Sequence, residues 1–144
     1  VKEIIAQEGH VDKFMGDAVM AVFRGNYHLD RAIDAGLALK HQLNNTEEIT
    51  LGDKKYKPQI SIGINSGEMV SGNIGSASLK RFDYTVIGDA VNTAQRLQGV
   101  AKPGQILISE AVYNIAKESF KCQLNGEYVL KNKSVPVNTY EVLE

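Results

Sequence analysis

Apolar and polar positions change period several times along this chain, and each change marks a boundary between elements. From His28 to Leu43, Leu29, Ile33 and Leu37 recur every fourth position while Asp30, Arg31, Asp34 and Lys40 hold the other face, which predicts an amphipathic helix. Gly88 to Val100 repeats the pattern, with Ala90, Val91, Ala94 and Leu97 on one side. Gln59 to Ile64 alternates instead and reads as a half-buried strand.

Turn chemistry fills in the rest. Val1 to Gln7 has the apolar spacing of a helix's last turns, closed at Gly9. Val11 to Phe23 alternates loosely around Gly16-Asp17, a hairpin with its tight turn at those two residues. Asn44 to Lys57 is polar and reads as a surface loop, and Ser66 to Ser76 as a glycine-rich stretch. Tyr84 to Ile87 and Gln105 to Ile108 are short strands, with a Lys102-Pro103-Gly104 turn between the Gly88–Val100 helix and the second of them, and Ser109 is placed to cap a helix that begins with Glu110. Asn125-Gly126 predicts a hairpin between Phe120–Leu124 and Glu127–Leu130, and Val135 to Val142 a last strand. Helices alternating with hairpin-linked strands favour an α/β sandwich on an antiparallel or mixed sheet over a doubly wound parallel one.

The 144 residues suit one domain spanning 1–144, and 43% hydrophobic residues can build a core. Sixteen basic residues against seventeen acidic give a net charge of -1, so no global field draws the chain to nucleic acid, and any phosphate binding must be local. The single cysteine, Cys122, matches no zinc spacing and has no internal disulfide partner, which suits a reducing compartment. No apolar run nears the ~18 residues that span a bilayer. Val1-Lys2-Glu3 has neither a signal-peptide pattern nor an initiating methionine, so the chain is expected to begin inside a longer protein.

Several residues invite a chemical reading beside a plain one. Asp17 after Gly16 is a natural turn former; with its carboxylate free at a hairpin tip it would instead hold a hard divalent cation. Asn92 and Arg96 are four apart on a helix and share a side, as a solvated face or as an anion grip; the flanking Val91, Ala94 and Leu97 place them at the edge of the core face. Lys131 and Lys133 are ordinary loop lysines or phosphate ligands. Gly67 to Gly75 is no P-loop, because Asn73 and Ile74 stand where Lys and Ser or Thr are required.

Joint occurrence in order changes the weighing. Asp12-Lys13-Phe14-Met15-Gly16-Asp17, then Gly72-Asn73-Ile74-Gly75-Ser76, then Tyr84 to Leu97 with its Thr85, Gly88-Asp89, Asn92 and Arg96, resemble the motifs of class III adenylyl and guanylyl cyclases of the bacterial type. The resemblance runs the length of the chain. The Gly-Gly-Asp/Glu-Glu-Phe signature of diguanylate cyclases is absent.

This resemblance implies a ferredoxin-like βαββαβ cyclase core with its first strand missing. It makes Asp17 one of two metal-binding aspartates for two Mg²⁺ or Mn²⁺ ions per site, Lys13 and Thr85 the purine-reading pair, and Asn92 and Arg96 the transition-state pair. Lys131 falls where the family binds the triphosphate, beside Asn132 in place of a common glycine. The implied reaction is conversion of ATP to 3',5'-cyclic AMP and pyrophosphate at two sites shared across a head-to-tail homodimer. Guanylyl members usually carry Glu where Lys13 stands, so ATP is favoured over GTP; a guanylate cyclase, or an inactive dimerising module, are the alternatives. The family's first metal aspartate lies in an upstream Phe-x-Asp motif that this chain lacks, so the 144 residues alone are expected to be nearly inactive. A cytoplasmic location and an upstream regulatory domain are implied for the parent protein, which the missing segments could anchor to a membrane.

Overall fold

The computed structural model describes residues 2–15, 18–45, 49–56, 59–67, 70–76, 81–87, 89–128 and 137–143. Helix α1 (Lys2–Ala6) stops through two backbone bonds, Glu8 N–H to the Ile5 carbonyl at 2.9 Å and Gly9 N–H to the Ile4 carbonyl at 2.8 Å. The left-handed residue of that stop is Glu8, at φ 60, rather than the expected Gly9. Gly9 is needed for space, since a Cβ there would lie 2.6 Å from the Phe23 ring and 2.8 Å from Ile4 Cγ2.

Strands β1 (His10–Met15) and β2 (Ala18–Val22) form the expected antiparallel hairpin, paired up to Met15 and Ala18; Gly16 and Asp17 lie outside the described residues. Helix α2 (His28–Asn44) follows, with Leu29, Ile33, Ala35 and Gly36 buried.

Three sequence expectations need correction. The polar segment after α2 contains a second hairpin, β3 (Ile49–Leu51) and β4 (Lys54–Tyr56), turning at Gly52 with φ 64. Gly52 supplies the positive φ that a two-residue hairpin link needs, which closes the strands in spite of the polarity of the segment. After β5 (Ile62–Ile64), most of the glycine-rich stretch is strand β6 (Val70–Ser76), paired antiparallel with β7 (Arg81–Ile87). Gly72 and Gly75 stand opposite Thr85 and Phe82, so a ladder to β-forming partners orders glycines that have little strand preference alone.

Helix α3 (Asp89–Val100) leads through the Gly104 turn, at φ 87, into β8 (Ile106–Ser109). The Ser109 side chain accepts the Val112 N–H at 3.3 Å and caps α4 (Glu110–Ala116), as its position foretold. The third correction concerns Asn125-Gly126, which lies inside β9 (Cys122–Tyr128) and forms no hairpin turn. Its partner is β10 (Val137–Val142), where Gly126 faces Thr139 and Leu124 faces Tyr140, leaving Asn125 as the extra residue of a bulge. The bulge turns the Asn125 amide onto the buried Thr139 hydroxyl at 3.3 Å, and that hydroxyl donates to the Gly126 carbonyl at 3.1 Å.

The central sheet runs β5-β8-β10-β9, with β5 parallel to β8 and the other neighbours antiparallel, so the expected mixed sheet is found. Strand β8 is buried through Ile106, Leu107 and Ile108. Strand alternation divides these side chains between two layers. Ile106 and Ile108 join Leu29, Ile33, Val112, Ala116 and Val142 in one core with α2 and α4. Leu107 and Gly63 face the other way, toward α3, whose Leu97 is fully buried. Helices therefore cover both faces of the sheet, the sandwich that the patterning implied.

Candidate active site

Lys13 sits on β1 just past an irregularity: Val11 pairs with Ala21 but Lys13 pairs with Met20, so Asp12 is an extra residue that shifts the strand's register. Thr85 sits on β7 opposite Gly72, and β7 runs alongside β1. The fold thus brings the two strands that carry the purine-pair candidates together. Asp17 and Lys131 lie outside the described residues.

Asn92 and Arg96 are on α3, one turn apart. Their expected place at the edge of the core face is not what the structure has. The face of α3 on the sheet is Ala90, Ala94, Leu97 and Gln98, and at 100° per residue Asn92 and Arg96 point away from it. Asn92 is exposed and Arg96 half-buried, and among the described residues neither side chain makes a hydrogen bond. The cause is Gly63, whose missing side chain lets the backbone of Ala94 and Gln98 lie on β5 and so fixes which face is inward.

A cavity of about 760 Å³ opens between the β1–β2 hairpin and the central sheet, floored by α2 and α3. Every residue from Ala18 to Gly25 and from Gln59 to Gly67 lines it, rather than alternate ones. The cavity is therefore flanked by strand edges, not by one sheet face. Ala90, Val91, Ala94, Gln95 and Gln98 border it from α3, while Asn92 and Arg96 do not.

Polar side chains that the sequence gave no reason to single out tie this region together. Asn65, just past β5, donates through Nδ2 to the Ala90 carbonyl at 3.1 Å, and its Oδ1 accepts the Ser109 hydroxyl at 2.6 Å. His28 Nδ1 lies 3.2 Å from the Gly25 carbonyl, which can only accept, so Nδ1 donates there and Nε2 accepts from the Ser66 hydroxyl at 3.0 Å. Arg31 donates to the carbonyls of Asn26 at 3.1 Å, Gln7 at 3.1 Å and Glu8 at 3.5 Å, and also to that of Arg24. No pattern in the sequence marks these residues, because each acts through backbone groups brought near only by the fold.

Among the described residues no three His, Cys, Asp or Glu side chains converge as a metal would need. Asp17 is the single carboxylate that the motif assigns to a cation. The described donors thus do not make a two-ion centre by themselves.

The family model for the adenylate and guanylate cyclase catalytic domain matches residues 4–144. The chain belongs to the class III cyclase family.

This cyclase domain is 39% identical over 150 residues to an adenylate cyclase of Anabaena cylindrica, covering 98% of the chain and 29% of that protein. It is 31% identical to the terminal-differentiation specific adenylate cyclase of Dictyostelium discoideum, over 94% of the chain and 7% of that protein. The domain thus spans less than a third of the length of these relatives. Among solved structures, the adenylyl cyclase CyaB from P. aeruginosa superposes with a TM-score of 0.82 at 33% identity, over 99% of this chain and 76% of that one. The guanylate cyclase domain of RhGC from Catenaria anguillulae, solved in complex with GTP, gives 0.82 at 26% identity, with the same coverage. Class III cyclases generally use divalent metal ions.

Proposed function

We propose that this cyclase domain converts ATP to 3',5'-cyclic AMP and pyrophosphate in a head-to-tail homodimer, and that its parent protein is a cytoplasmic-facing signalling enzyme with a separate regulatory domain. The observation that carries the ATP assignment is that Lys13 and Thr85 stand on strands of two different hairpins, β1 and β7, that touch one another. Adenine's pairing edge offers an acceptor ring nitrogen and a donor amino group; a lysine ammonium only donates and a threonine hydroxyl can accept, so together they complement it. The two adenylate cyclase relatives support the same reading.

Ring closure is an in-line attack of the ribose 3'-hydroxyl on the α-phosphorus, so the protein's work is to position groups and to neutralise growing negative charge. Arg96 presents a planar, permanently charged fork to the α-phosphate oxygens, and Asn92 orients the ribose. Lys131 contributes a further charge at the triphosphate. Bound divalent ions, held through Asp17 and a carboxylate from outside these residues, would supply phosphate neutralisation and activation of the hydroxyl.

The outward direction of Asn92 and Arg96, away from the chain's own cavity, supports a composite site in which they meet a nucleotide held partly by a second copy. A guanylyl cyclase domain of Blastocladiella emersonii lies among the structural neighbours both as a non-canonical dimer and as a monomer, so the head-to-tail arrangement rests on the direction of Asn92 and Arg96. Among the described residues β2 and β5 each have one edge without a strand partner, and an edge of this kind can seat a further strand. On this reading the 144-residue chain alone turns over ATP slowly, and the intact parent rapidly.

GTP is the second reading, favoured by the GTP-bound relative and by the Thr85 hydroxyl, which donates as well as accepts. The test offers ATP and GTP separately to the intact protein with Mg²⁺ or Mn²⁺ and quantifies both cyclic products. A kcat/KM that favours GTP would overturn the ATP assignment; no product from either would reduce the protein to a binding module.

A further inference from the structure

Helix α3 lies on three alternate residues of one stretch of chain, Gly63, Asn65 and Gly67, which share a face of β5 and its extension. The outer two have no side chain: at Gly63 the helix backbone leaves no room for one, and at Gly67 the fit would be tight. A Cβ at Gly63 would collide with Ala94 O and Gln98 N and stand 3.0 Å from Gln98 Cα, and one at Gly67 would stand 3.0 Å from the Ala90 Cβ. The middle residue supplies the polar tether, with Asn65 Nδ2 on the Ala90 carbonyl at 3.1 Å.

The amide has one self-consistent orientation. Because the Ala90 carbonyl accepts only, Nδ2 must face it; Oδ1 then takes the Ser109 proton at 2.6 Å, and the Ser109 oxygen keeps its lone pairs for the Val112 N–H at 3.3 Å. One side chain thereby links the first turn of α3 to the junction of β8 and α4. Gly63 and Gly67 fix how close α3 lies to the sheet but leave it able to slide and roll, and the Asn65 bond removes that freedom at the turn just before Asn92.

We infer that Asn65 is a positioning residue for ring closure, setting where α3 presents Asn92 and Arg96 to the nucleotide. This rests on α3 being the catalytic helix, as proposed above. An error of about 1 Å in such a group can cost on the order of 100-fold in rate, so a modest slip of α3 would register.

The test uses the intact parent protein and four variants: Asn65→Asp, Asn65→Leu, Arg96→Ala and the Asn65→Asp/Arg96→Ala double. Asn65→Asp keeps the acceptor for Ser109 and turns the donor to Ala90 into a charged acceptor, and melting curves report whether each variant folds. Expected for Asn65→Asp is a kcat lower by roughly 10- to 100-fold with KM for ATP within about twofold, because a contact made only in the transition state is what is lost. In the Arg96→Ala background the same change should cost several-fold less than in the parent, because only the Asn92 contact is left for a slipped helix to misplace. Parental kcat in folded Asn65→Asp, or losses that multiply in the double variant, would overturn the inference while leaving α3 catalytic. Parental kcat in Arg96→Ala would overturn the reading of α3 and this inference with it. Asn65→Leu removes both bonds without placing a carboxylate against the Ala90 carbonyl: parental kcat in the folded Asn65→Leu variant would also overturn the tether.

Discussion

Gly63 of β5 and Ala94 of α3 meet backbone to backbone, with the Ala94 carbonyl occupying the space that a side chain at residue 63 would fill. A helix in such contact has no way to absorb a methyl group except by moving off the sheet. Gly63→Ala is therefore expected to destabilise the domain by about 1–3 kcal/mol, the usual cost of overpacking. Urea melts of parent and variant check this; an unchanged midpoint would mean that α3 sits farther from β5 than described.

Arg96→Ala should lower kcat by about 10²–10³-fold, the range for loss of one electrostatic contact to a transition state. Arg96→Lys should recover little of it, since an ammonium cannot reproduce the two-pronged grip. Because Arg96 is half-buried on the side of α3 away from the sheet, melting curves should barely move in either variant.

Lys13→Glu exchanges a donor for an acceptor at the proposed adenine edge. We expect the ratio of kcat/KM for ATP over GTP to fall by on the order of 100-fold, as when a polar site meets the wrong pairing pattern. Competition assays with both nucleotides in one reaction measure that ratio directly. A ratio unmoved by the substitution would remove Lys13 from base recognition.

Ile33 is fully buried in the core that joins α2 to β8 and α4. Ile33→Ala should cost about 2–5 kcal/mol, well above the effect of any of the active-site substitutions on stability. Equilibrium denaturation supplies the number.

Alkaline stability should be limited by two raised acids. Burial pushes the Cys122 thiol up; burial, then the charges of Glu110 and Tyr113, push the Tyr140 phenol up. For each group the folded form holds its proton more tightly than the unfolded chain, so its contribution is complete below the unfolded pKa and is lost as pH rises through the folded one. With unfolded values of about 8.5 for Cys and about 10 for Tyr, stability should decline from roughly pH 8.5 upward. Tyr140→Phe should remove the part of that decline above about pH 10. The stacking of the rings of Tyr113 and Tyr140, at 3.8 Å, would survive the change. Cys122 in the folded chain should also react with iodoacetamide more slowly than the same thiol in urea.

The elements legible from sequence were those whose periodicity is fixed locally. Helix α2 announces itself through Leu29, Ile33 and Leu37, and Ser109 announces α4, because both signals lie within a few residues of what they specify. What escaped depends on a distant strand. Asn125-Gly126 has the composition of a turn, yet its conformation is set by β10 pairing across it, and the glycines of β6 are ordered by β7. At the site, the motifs carry Lys13, Asp17, Thr85, Asn92, Arg96 and Lys131 as a set; the direction of Asn92 and Arg96 differs from the expected one because it depends on Gly63, on a strand distant in the chain from α3. Asn65 and His28 were invisible for a related reason: one partner of each is a backbone carbonyl, which any residue supplies, and the other is a serine 38 or 44 residues away.

Arg31 collects carbonyl oxygens from the stop of α1 and from the connection between β2 and α2 on a single guanidinium. Since that group stays protonated across all biological pH, and its acceptors are neutral peptide dipoles, neither acidification nor ordinary salt unfastens the joint as it would a carboxylate pair. A twist applied to α1 would thus travel into the start of α2 as through a rivet rather than a spring.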